Sequence, residues 1–380
     1  MQEPEGGRRE LHHPERLKKA AEGLRLDPHT ARELSGATMR AFITGLSGPS
    51  LTDSERAFLR EAQPWGVIVF DRNIMDPDQL RGLLDDVRST LGRDAPVLVD
   101  QEGGRVQRLK PPHWPKYPPA AAYGELYDRN RADGLAAARL GGRLMAADLA
   151  GVGIDVDCAP VADVPVSGAD AIIGDRAFGD EPGKVAALAA AFAQGLEQGG
   201  VLPVVKHMPG HGRATADSHK KLPVVTAEKA TLETSDFAAF RPLAGLPLGM
   251  TAHVVFTAFD PVAPATTSAV IVREVIRGSI GFQGLLMSDD LSMGALNGSL
   301  GERTRAVLAA GCDVVLHCSG VMDEMFAVAG AAQPLQGASA RRAEAALARR
   351  KPAMAIDVAA MRAEFAALMN GVWEPARGMA

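Results

Sequence analysis

Residues 41–70 read AFITGLSGPSLTDSERAFLREAQPWGVIVF, and this stretch contains the repeating unit of the fold. It begins with the apolar run Ala41–Leu46, passes through a Thr-Asp capping sequence into the helical segment Ser54–Gln63, and ends with the apolar run Gly66–Phe70. Short continuous apolar runs are typical of buried parallel strands, whereas exposed antiparallel strands alternate apolar and polar residues. The stretch therefore predicts two strands joined by a helix.

The same order recurs along the rest of the chain. Further apolar runs lie at Pro96–Val99, Ile154–Cys158, Leu202–Val205, Leu248–Thr251, Gly284–Met287 and Asp313–Leu316. Segments of helical composition separate them, including Asp78–Leu91, Ala136–Ala150 and Val185–Gln198. Eight strands that alternate with helices predict a closed (β/α)8 TIM-type barrel. A doubly wound open sheet is the alternative, but the GxGxxG that usually follows its first strand is absent from the sequence.

The length of chain after the eighth run limits the number of domains. About 60 residues follow it, and they read as two helices, Ser339–Lys351 and Val358–Leu368. This is too little for a second domain of ordinary size. We therefore predict one catalytic domain, residues 37–380, preceded by a polar and charged extension, residues 1–36.

The composition argues against several classes of partner. A net charge of −5 and an aromatic content of 5% give no reason to expect binding to nucleic acid or to an anionic membrane. Three dispersed cysteines without CxxC spacing do not make a disulfide framework. We recognise neither a signal peptide nor an apolar segment long enough to span a bilayer. We therefore expect a soluble, cytoplasmic and monomeric protein.

Polar side chains follow several predicted strands at their carboxyl ends, where barrel enzymes assemble their active sites. They are Asp100 and Arg108 after the third run, Lys206 and His207 after the fifth, His253 after the sixth, and Asp289 and Asp290 after the seventh. One charged residue behind a strand usually has a structural role, such as capping the next helix. Convergence of such residues at four strand ends predicts a functional site.

The segment Lys206–Lys221, KHMPGHGRATADSHKK, supports two interpretations. His207, His211 and His219 could bind a metal ion, as in a metal-dependent barrel hydrolase, but a proline and a glycine between the first two would break a metal-binding helix. In the second interpretation Asp217 and His219 form a dyad, in which the carboxylate fixes the tautomer of a proton-transferring imidazole. We favour the dyad and expect no metal and no cofactor.

Several segments together resemble a known family. DQEGGRVQR (Asp100–Arg108), KHMPGHG (Lys206–Gly212), DSH (Asp217–His219) and SDDLSM (Ser288–Met293) occur in this order, and they resemble the single-domain β-N-acetylhexosaminidases of glycoside hydrolase family 3. The segments GIDVDCAPVADV, GDRAFGD and MTAHVVF extend the likeness from about residue 40 to residue 320. Met208 departs from the family pattern, in which phenylalanine is usual.

The resemblance implies roles for the matching residues. Asp289 would be the nucleophile that forms a covalent glycosyl-enzyme, and His219 would be the acid/base, with Asp217 as its partner. The residues that would hold the sugar are Asp100, Arg108, Arg176, Lys206 and His207. Asp290 is the rival nucleophile. Because consecutive strand residues point in opposite directions, we expect only one of these two aspartates to face the pocket, and we favour Asp289.

The activity implied by the resemblance is a retaining exo-β-N-acetylhexosaminidase that releases terminal N-acetylglucosamine, with muropeptide fragments of peptidoglycan recycling as substrates. A β-glucosidase or β-xylosidase is an alternative, although those relatives generally carry a second domain that supplies a glutamate acid/base. A phosphorylase is another alternative, because a histidine acid/base places no second anion beside an attacking phosphate.

For the other conspicuous polar residues we expect structural roles. Asp155, Asp157 and Asp163 would organise the backbone around the fourth strand, Asp313 would pair at the bottom of the barrel, His211 would shape its loop, and Arg105 would pair locally. His253 could either line the pocket or serve as a hydrogen-bonded structural histidine.

Overall fold

The computed structural model describes residues 38–373, and the predicted extension, residues 1–36, lies outside them. Eight parallel strands close into a barrel. They are β1 (Arg40–Gly45), β2 (Pro64–Val69), β3 (Val97–Val99), β4 (Val156–Asp157), β5 (Leu202–Met208), β6 (Leu248–Thr251), β7 (Leu285–Asp290) and β8 (Val314–His317). Each strand pairs with its neighbours in chain order, and β8 closes the barrel against β1. The predicted barrel is confirmed, and the doubly wound alternative is wrong.

Two strands extend further than their apolar runs. β5 continues to Met208, which pairs with Thr251 of β6, and β7 continues to Asp290, which pairs with Leu316 of β8. Residues that we expected just behind these strands, such as Lys206 and Asp289, therefore lie within them. The apolar pattern stops early because Lys206 and His207 of β5 and Asp289 and Asp290 of β7 line the polar cavity described below.

The helices of the described residues are α1 (Asp53–Ala62), α2 (Pro77–Leu91), α3 (Ala120–Arg129), α4 (Arg131–Ala150), α5 (Pro182–Gln198), α6 (Lys229–Thr234), α7 (Asp236–Phe240), α8 (Leu300–Ala310), α9 (Met322–Ala331), α10 (Gly337–Leu347) and α11 (Val358–Met369). A π-helical segment, Ile271–Ser279, follows β6. Every helix predicted from the sequence is present, with ends that differ by a few residues. Within the described residues no helix is long and apolar enough to span a membrane.

The capping sequence predicted before the first helix is present. The Thr52 hydroxyl accepts a hydrogen bond from the Glu55 amide at 3.1 Å, and the Glu55 carboxylate accepts one from the Thr52 amide at 2.9 Å. These bonds satisfy two of the backbone donors that the first turn of a helix leaves without partners. Short polar signals therefore determine where α1 begins.

The core has two layers. One apolar cluster fills the barrel with alternate strand residues, such as Ile43, Leu98 and Met287, and includes Ala343 and Ala346 of α10. The other cluster lies between the outer faces of the strands and the surrounding helices. Arg342 of α10 pairs with Asp313, the residue before β8, which places this helix at the amino ends of the strands. The polar cavity opens at the opposite, carboxyl ends.

Candidate active site

A cavity at the carboxyl ends of the strands gathers the predicted residues. Its polar lining includes Asp100, Arg108, Arg176, Lys206, His207, His219 and Asp289. Asp217, the remaining predicted residue, contacts the cavity through its hydrogen bond to His219. The structure thus brings together side chains from β5 and β7 and from the loops that follow β3, β4 and β5.

Asp100 lies at the centre of a charged network. Its Oδ1 is 2.9 Å from Lys206 Nζ, and its Oδ2 is 3.2 Å from Arg108 Nη2. Burial would raise the pKa of Asp100, but the neighbouring Lys206 and Arg108 charges leave that pKa below its ordinary value. Burial would likewise lower the pKa of Lys206, but Asp100 and Glu102 raise it. Both side chains therefore remain charged at neutral pH.

Glu102 belongs to the same network, and we had not assigned it to the site. Its carboxylate pairs with Lys206 Nζ at 2.7 Å, and it accepts hydrogen bonds from Nε and Nη2 of Arg176, both at 2.8 Å. The signal in the sequence is the spacing Asp100-Gln101-Glu102, because alternate residues of an extended segment lie on one face. Gln101, which lies between them, instead accepts hydrogen bonds from the backbone amides of Arg108 and Leu109.

His207 is oriented by a buried carboxylate. Its Nδ1 is 2.7 Å from Asp163 Oδ2, and Asp163 Oδ1 accepts the backbone amide of His211 at 2.7 Å. The predicted role of Asp163 in organising backbone is therefore confirmed, and its bond to the His207 ring is an addition. His211 is almost fully buried, and burial lowers its pKa to about 4. His211 is consequently a neutral ring at physiological pH.

The two aspartates of β7 differ in their hydrogen bonds. Both line the cavity, so the expectation that only one would face it is wrong. Asp290 Oδ1 accepts the backbone amides of Ser292 and Cys318, both at 3.1 Å, and its Oδ2 accepts the Ser292 hydroxyl. Asp289 Oδ1 accepts the Asp290 amide at 2.8 Å. The carboxylate of Asp290 therefore supports the turn after β7.

Asp289 is held in its ionised form. Burial would raise the pKa of this carboxyl, but the rings of His253 and His207, the Asp290 amide and the Lys206 ammonium together lower it below its ordinary value. An anion is thus available at neutral pH in the same cavity as the charged network around Asp100 and Lys206.

Asp217 and His219 form the predicted pair. Asp217 Oδ1 lies 2.9 Å from His219 Nδ1 and accepts the His219 backbone amide at the same distance, 2.9 Å. The His219 side chain is 60% exposed, which places it at the entrance of the cavity and not at its bottom. Burial would raise the pKa of Asp217, but the hydrogen bonds from His219 lower it.

The remaining conspicuous residues have structural partners. His253 is fully buried, contacts Thr266 at 2.7 Å and the Asp290 carbonyl at 3.0 Å, and is not among the cavity-lining residues. Asp313 pairs with two arginines at the bottom of the barrel, as expected. Asp155 accepts the Val97 amide, Asp157 accepts the Gln101 amide and Arg105 pairs with Asp175.

The arrangement required for a metal hydrolase is not formed. Within residues 38–373, no group of three or more His, Cys, Asp or Glu side chains is placed to hold a metal ion. His207 Nδ1 is engaged by Asp163, and His211 Nε2 lies 2.9 Å from the hydroxyl of Ser218. Within the described residues, the three histidines are therefore not placed around a shared ion.

The fold and the site define a class of enzyme. A (β/α)8 barrel whose carboxyl end holds an ionised carboxylate, an imidazole with a carboxylate partner and a network of buried charges has the active-site architecture of a barrel enzyme. Residues 34–349 match the N-terminal domain of glycosyl hydrolase family 3. The chain belongs to glycosyl hydrolase family 3, as the sequence motifs predicted.

Similar proteins agree with this assignment. The chain is 42% identical over 281 residues to a β-hexosaminidase of Alkalilimnicola ehrlichii. The aligned region covers 73% of this chain and 80% of that protein. It is 40% identical over 306 residues to a β-hexosaminidase of Chromobacterium violaceum, spanning 80% and 85%. NagZ of Neisseria gonorrhoeae, in complex with N-trifluoroacetyl-D-glucosamine, superposes with a TM-score of 0.79 at 32% identity, covering 89% of this chain and 99% of that one. The chain is thus a hydrolase that groups with the β-hexosaminidases of its family.

Proposed function

We propose that this chain is a retaining exo-β-N-acetylhexosaminidase that releases terminal β-linked N-acetylglucosamine without a metal or a cofactor. The observation that carries the proposal is the presence, in one cavity, of the ionised Asp289 and of His219 with its partner Asp217. Retaining hydrolysis requires a carboxylate nucleophile and a separate group that first donates and later accepts a proton. The names of the similar β-hexosaminidases support an N-acetylated sugar as substrate.

The network around Asp100 would bind the terminal sugar. A carboxylate can accept hydrogen bonds from neighbouring hydroxyls, while Lys206, Arg108 and Arg176 can donate to other sugar oxygens. Asp163 would fix His207 through Nδ1, so that Nε2 of this ring is the nitrogen that can contact substrate. Binding the non-reducing end in this way would place the anomeric carbon towards Asp289.

Two displacements at the anomeric carbon would follow. In the first, Asp289 attacks the anomeric carbon, the glycosidic bond breaks, and His219 gives its proton to the departing oxygen. In the second, His219 takes a proton from water, whose oxygen attacks the anomeric carbon and releases Asp289. Each step inverts the configuration, so the product keeps the β configuration. Asp217 holds Nδ1 of His219 and stabilises the imidazolium, which leaves Nε2 as the nitrogen for proton transfer.

The finer parts of the proposal rest on the family resemblance. We propose muropeptide fragments as the natural substrate, peptidoglycan recycling in the cytoplasm as the setting, and a monomer as the active form. Phosphorolysis is the competing activity of the same site, because a histidine acid/base leaves room for a phosphate nucleophile. A β-glucosidase or β-xylosidase activity would require the same nucleophile with another sugar.

One assay separates these activities. Hydrolysis of p-nitrophenyl N-acetyl-β-glucosaminide is measured beside the matching β-glucoside and β-xyloside, with and without EDTA and with and without phosphate. Cleavage of the first substrate alone, insensitive to EDTA, supports the proposal, and proton NMR should then show the β-anomer as the first sugar product. Cleavage of the glucoside or xyloside, loss of activity with EDTA, or formation of a sugar 1-phosphate would contradict it.

A further inference from the structure

Ser218 lies between the two members of the dyad and, unlike His219, is buried at the wall of the cavity. The whole Ser218 residue is 2% exposed, whereas the side chain of His219 is 60% exposed. The Ser218 hydroxyl lies 2.9 Å from His211 Nε2, and the His211 backbone amide donates to Asp163 at 2.7 Å. Because Asp163 also holds the ring of His207, Ser218 attaches the dyad to the network that orients a sugar-binding residue.

The backbone of the dyad is attached to a second element. The Ala295 amide donates to the Ser218 carbonyl at 3.2 Å, and the Gly294 amide donates to the His219 carbonyl at 3.1 Å. Both donors belong to the segment that follows β7, the strand that carries Asp289. The dyad and the candidate nucleophile are therefore connected through two adjacent backbone hydrogen bonds, with no intervening mobile side chain.

The close approach at this connection requires a glycine. A Cβ atom on Gly294 would lie 2.9 Å from the His219 carbonyl oxygen and 3.0 Å from that of Lys220. Both neighbours are backbone atoms, so the loop itself would have to move to admit a side chain. A methyl group at this position would thus displace the dyad while removing none of the groups that carry the chemistry.

We propose that Ser218, Gly294 and Ala295 form a latch that sets the position of His219 relative to Asp289. These are positioning residues, because they act through His219 and none of the three supplies the nucleophile or the transferred proton. The inference rests on the proposed function, in which His219 is the acid/base. A latch that connects proton donor and nucleophile matters because general acid catalysis depends on hydrogen-bond geometry at the departing oxygen.

The dependence on leaving group distinguishes this role from a general structural one. p-Nitrophenolate departs without much help from a proton, whereas phenolate departs slowly unless its oxygen is protonated. A displaced His219 should therefore reduce kcat/KM for phenyl N-acetyl-β-glucosaminide more than for the p-nitrophenyl glycoside. Loss of fold or of sugar binding would reduce both values by the same factor.

The test compares Gly294→Ala and Ser218→Ala with a matched glycine control. Gly330→Ala in α9 is the control, because a Cβ atom there meets nothing within 4 Å. In both latch variants we expect kcat/KM for the phenyl glycoside to fall on the order of 10-fold more than for the p-nitrophenyl glycoside. Gly330→Ala should keep the wild-type ratio, and thermal unfolding of each variant shows whether it is folded.

Each outcome decides the matter. Equal losses on the two substrates, or no loss in folded latch variants, would overturn the latch while leaving the proposed function in place. If Gly294→Ala does not fold, Ser218→Ala alone decides, since it adds no atoms. A wild-type enzyme that cleaves neither glycoside would overturn the proposed function and, with it, this inference.

Discussion

Glu102 and Arg176 form a bidentate ion pair, with Nε 2.8 Å from Oε2 and Nη2 2.8 Å from Oε1. Lys206 Nζ lies 2.7 Å from the same Oε1. The three side chains are nearly buried, with exposed fractions of 5% for Glu102, 10% for Arg176 and 3% for Lys206. The Glu102 carboxylate thus holds Arg176 and Lys206, two of the charged side chains proposed to bind the sugar. Loss of this carboxylate should therefore affect both the stability of the protein and its binding of the sugar.

The substitution Glu102→Gln is predicted to lower both the stability of the protein and its affinity for the sugar. The amide keeps the shape of the side chain but removes the charge, which leaves Arg176 and Lys206 with less compensation in a buried site. Removing one partner of a buried ion pair typically lowers the free energy of unfolding by about 3 kcal/mol. We expect a loss of this size in urea denaturation and an increased KM for p-nitrophenyl N-acetyl-β-glucosaminide.

An exposed carboxylate provides the control for this variant. Glu274 pairs with Arg273 at 2.8 Å, but both side chains are more than half exposed, at 54% and 68%. Glu274→Gln should therefore change the free energy of unfolding by less than about 0.5 kcal/mol and leave KM unchanged. If the two variants behaved alike, burial of the Glu102 network would not be the cause.

The barrel could be predicted because its signal is local. Each buried strand is a short apolar run, and each run lies between polar loops and a helix, so the βα order can be read from the sequence without knowing any distant contact. The carboxyl ends of all strands lie at the same end of a barrel, so the polar residues near these ends were predicted to form one site. Strand ends were less predictable, because Lys206 and Asp289 continue their strands as polar residues.

The contacts that the sequence did not predict are long-range. Glu102 meets Arg176, and Asp163 meets His207, across different loops and strands. The number of residues between the two partners does not indicate either pair, because both contacts depend on how the barrel closes. The relation of Asp289 to Asp290 was also mispredicted, since the pairing register of β7 with β8 shifts between Met287 and Asp290 and interrupts the regular strand alternation.

Asp289→Asn is predicted to abolish turnover, and Asp290→Asn is predicted to retain measurable activity. The first replaces the proposed nucleophile, and loss of such a group costs on the order of 10⁴-fold in kcat. The second keeps an oxygen that can still accept the Ser292 and Cys318 amides. Steady-state kinetics with the p-nitrophenyl substrate checks both. The reverse pattern, with Asp290→Asn inactive and folded, would assign the nucleophile to Asp290.

Asp163→Asn is predicted to weaken sugar binding more than it weakens chemistry. Asparagine can still accept the His211 amide through its oxygen, but its NH2 group faces His207 Nδ1 and favours the other tautomer of that ring. Loss of such an orienting partner typically costs on the order of 10-fold in affinity. We expect KM to rise by about this factor with a smaller change in kcat; an unchanged KM would mean that His207 does not contact the sugar.

The pH dependence of stability should report the burial of His211. Its pKa is lowered to about 4 by burial, while an imidazole in the unfolded chain titrates near pH 6.5. Between these values the unfolded chain binds a proton that the folded chain refuses, so the free energy of unfolding falls as the pH is lowered, by up to about 1.4 kcal/mol per pH unit for this group. Below pH 4 both states are protonated and the contribution no longer changes.

The variant His211→Gln tests this contribution, because its side chain cannot titrate. From pH 6.5 to 4, its free energy of unfolding, measured with urea, should fall less steeply than that of the wild type. Above pH 7.5 the difference in stability between the two proteins should be constant. If the stability of the two proteins fell in parallel between pH 6.5 and 4, His211 would take up its proton in the folded chain at the same pH as in the unfolded chain.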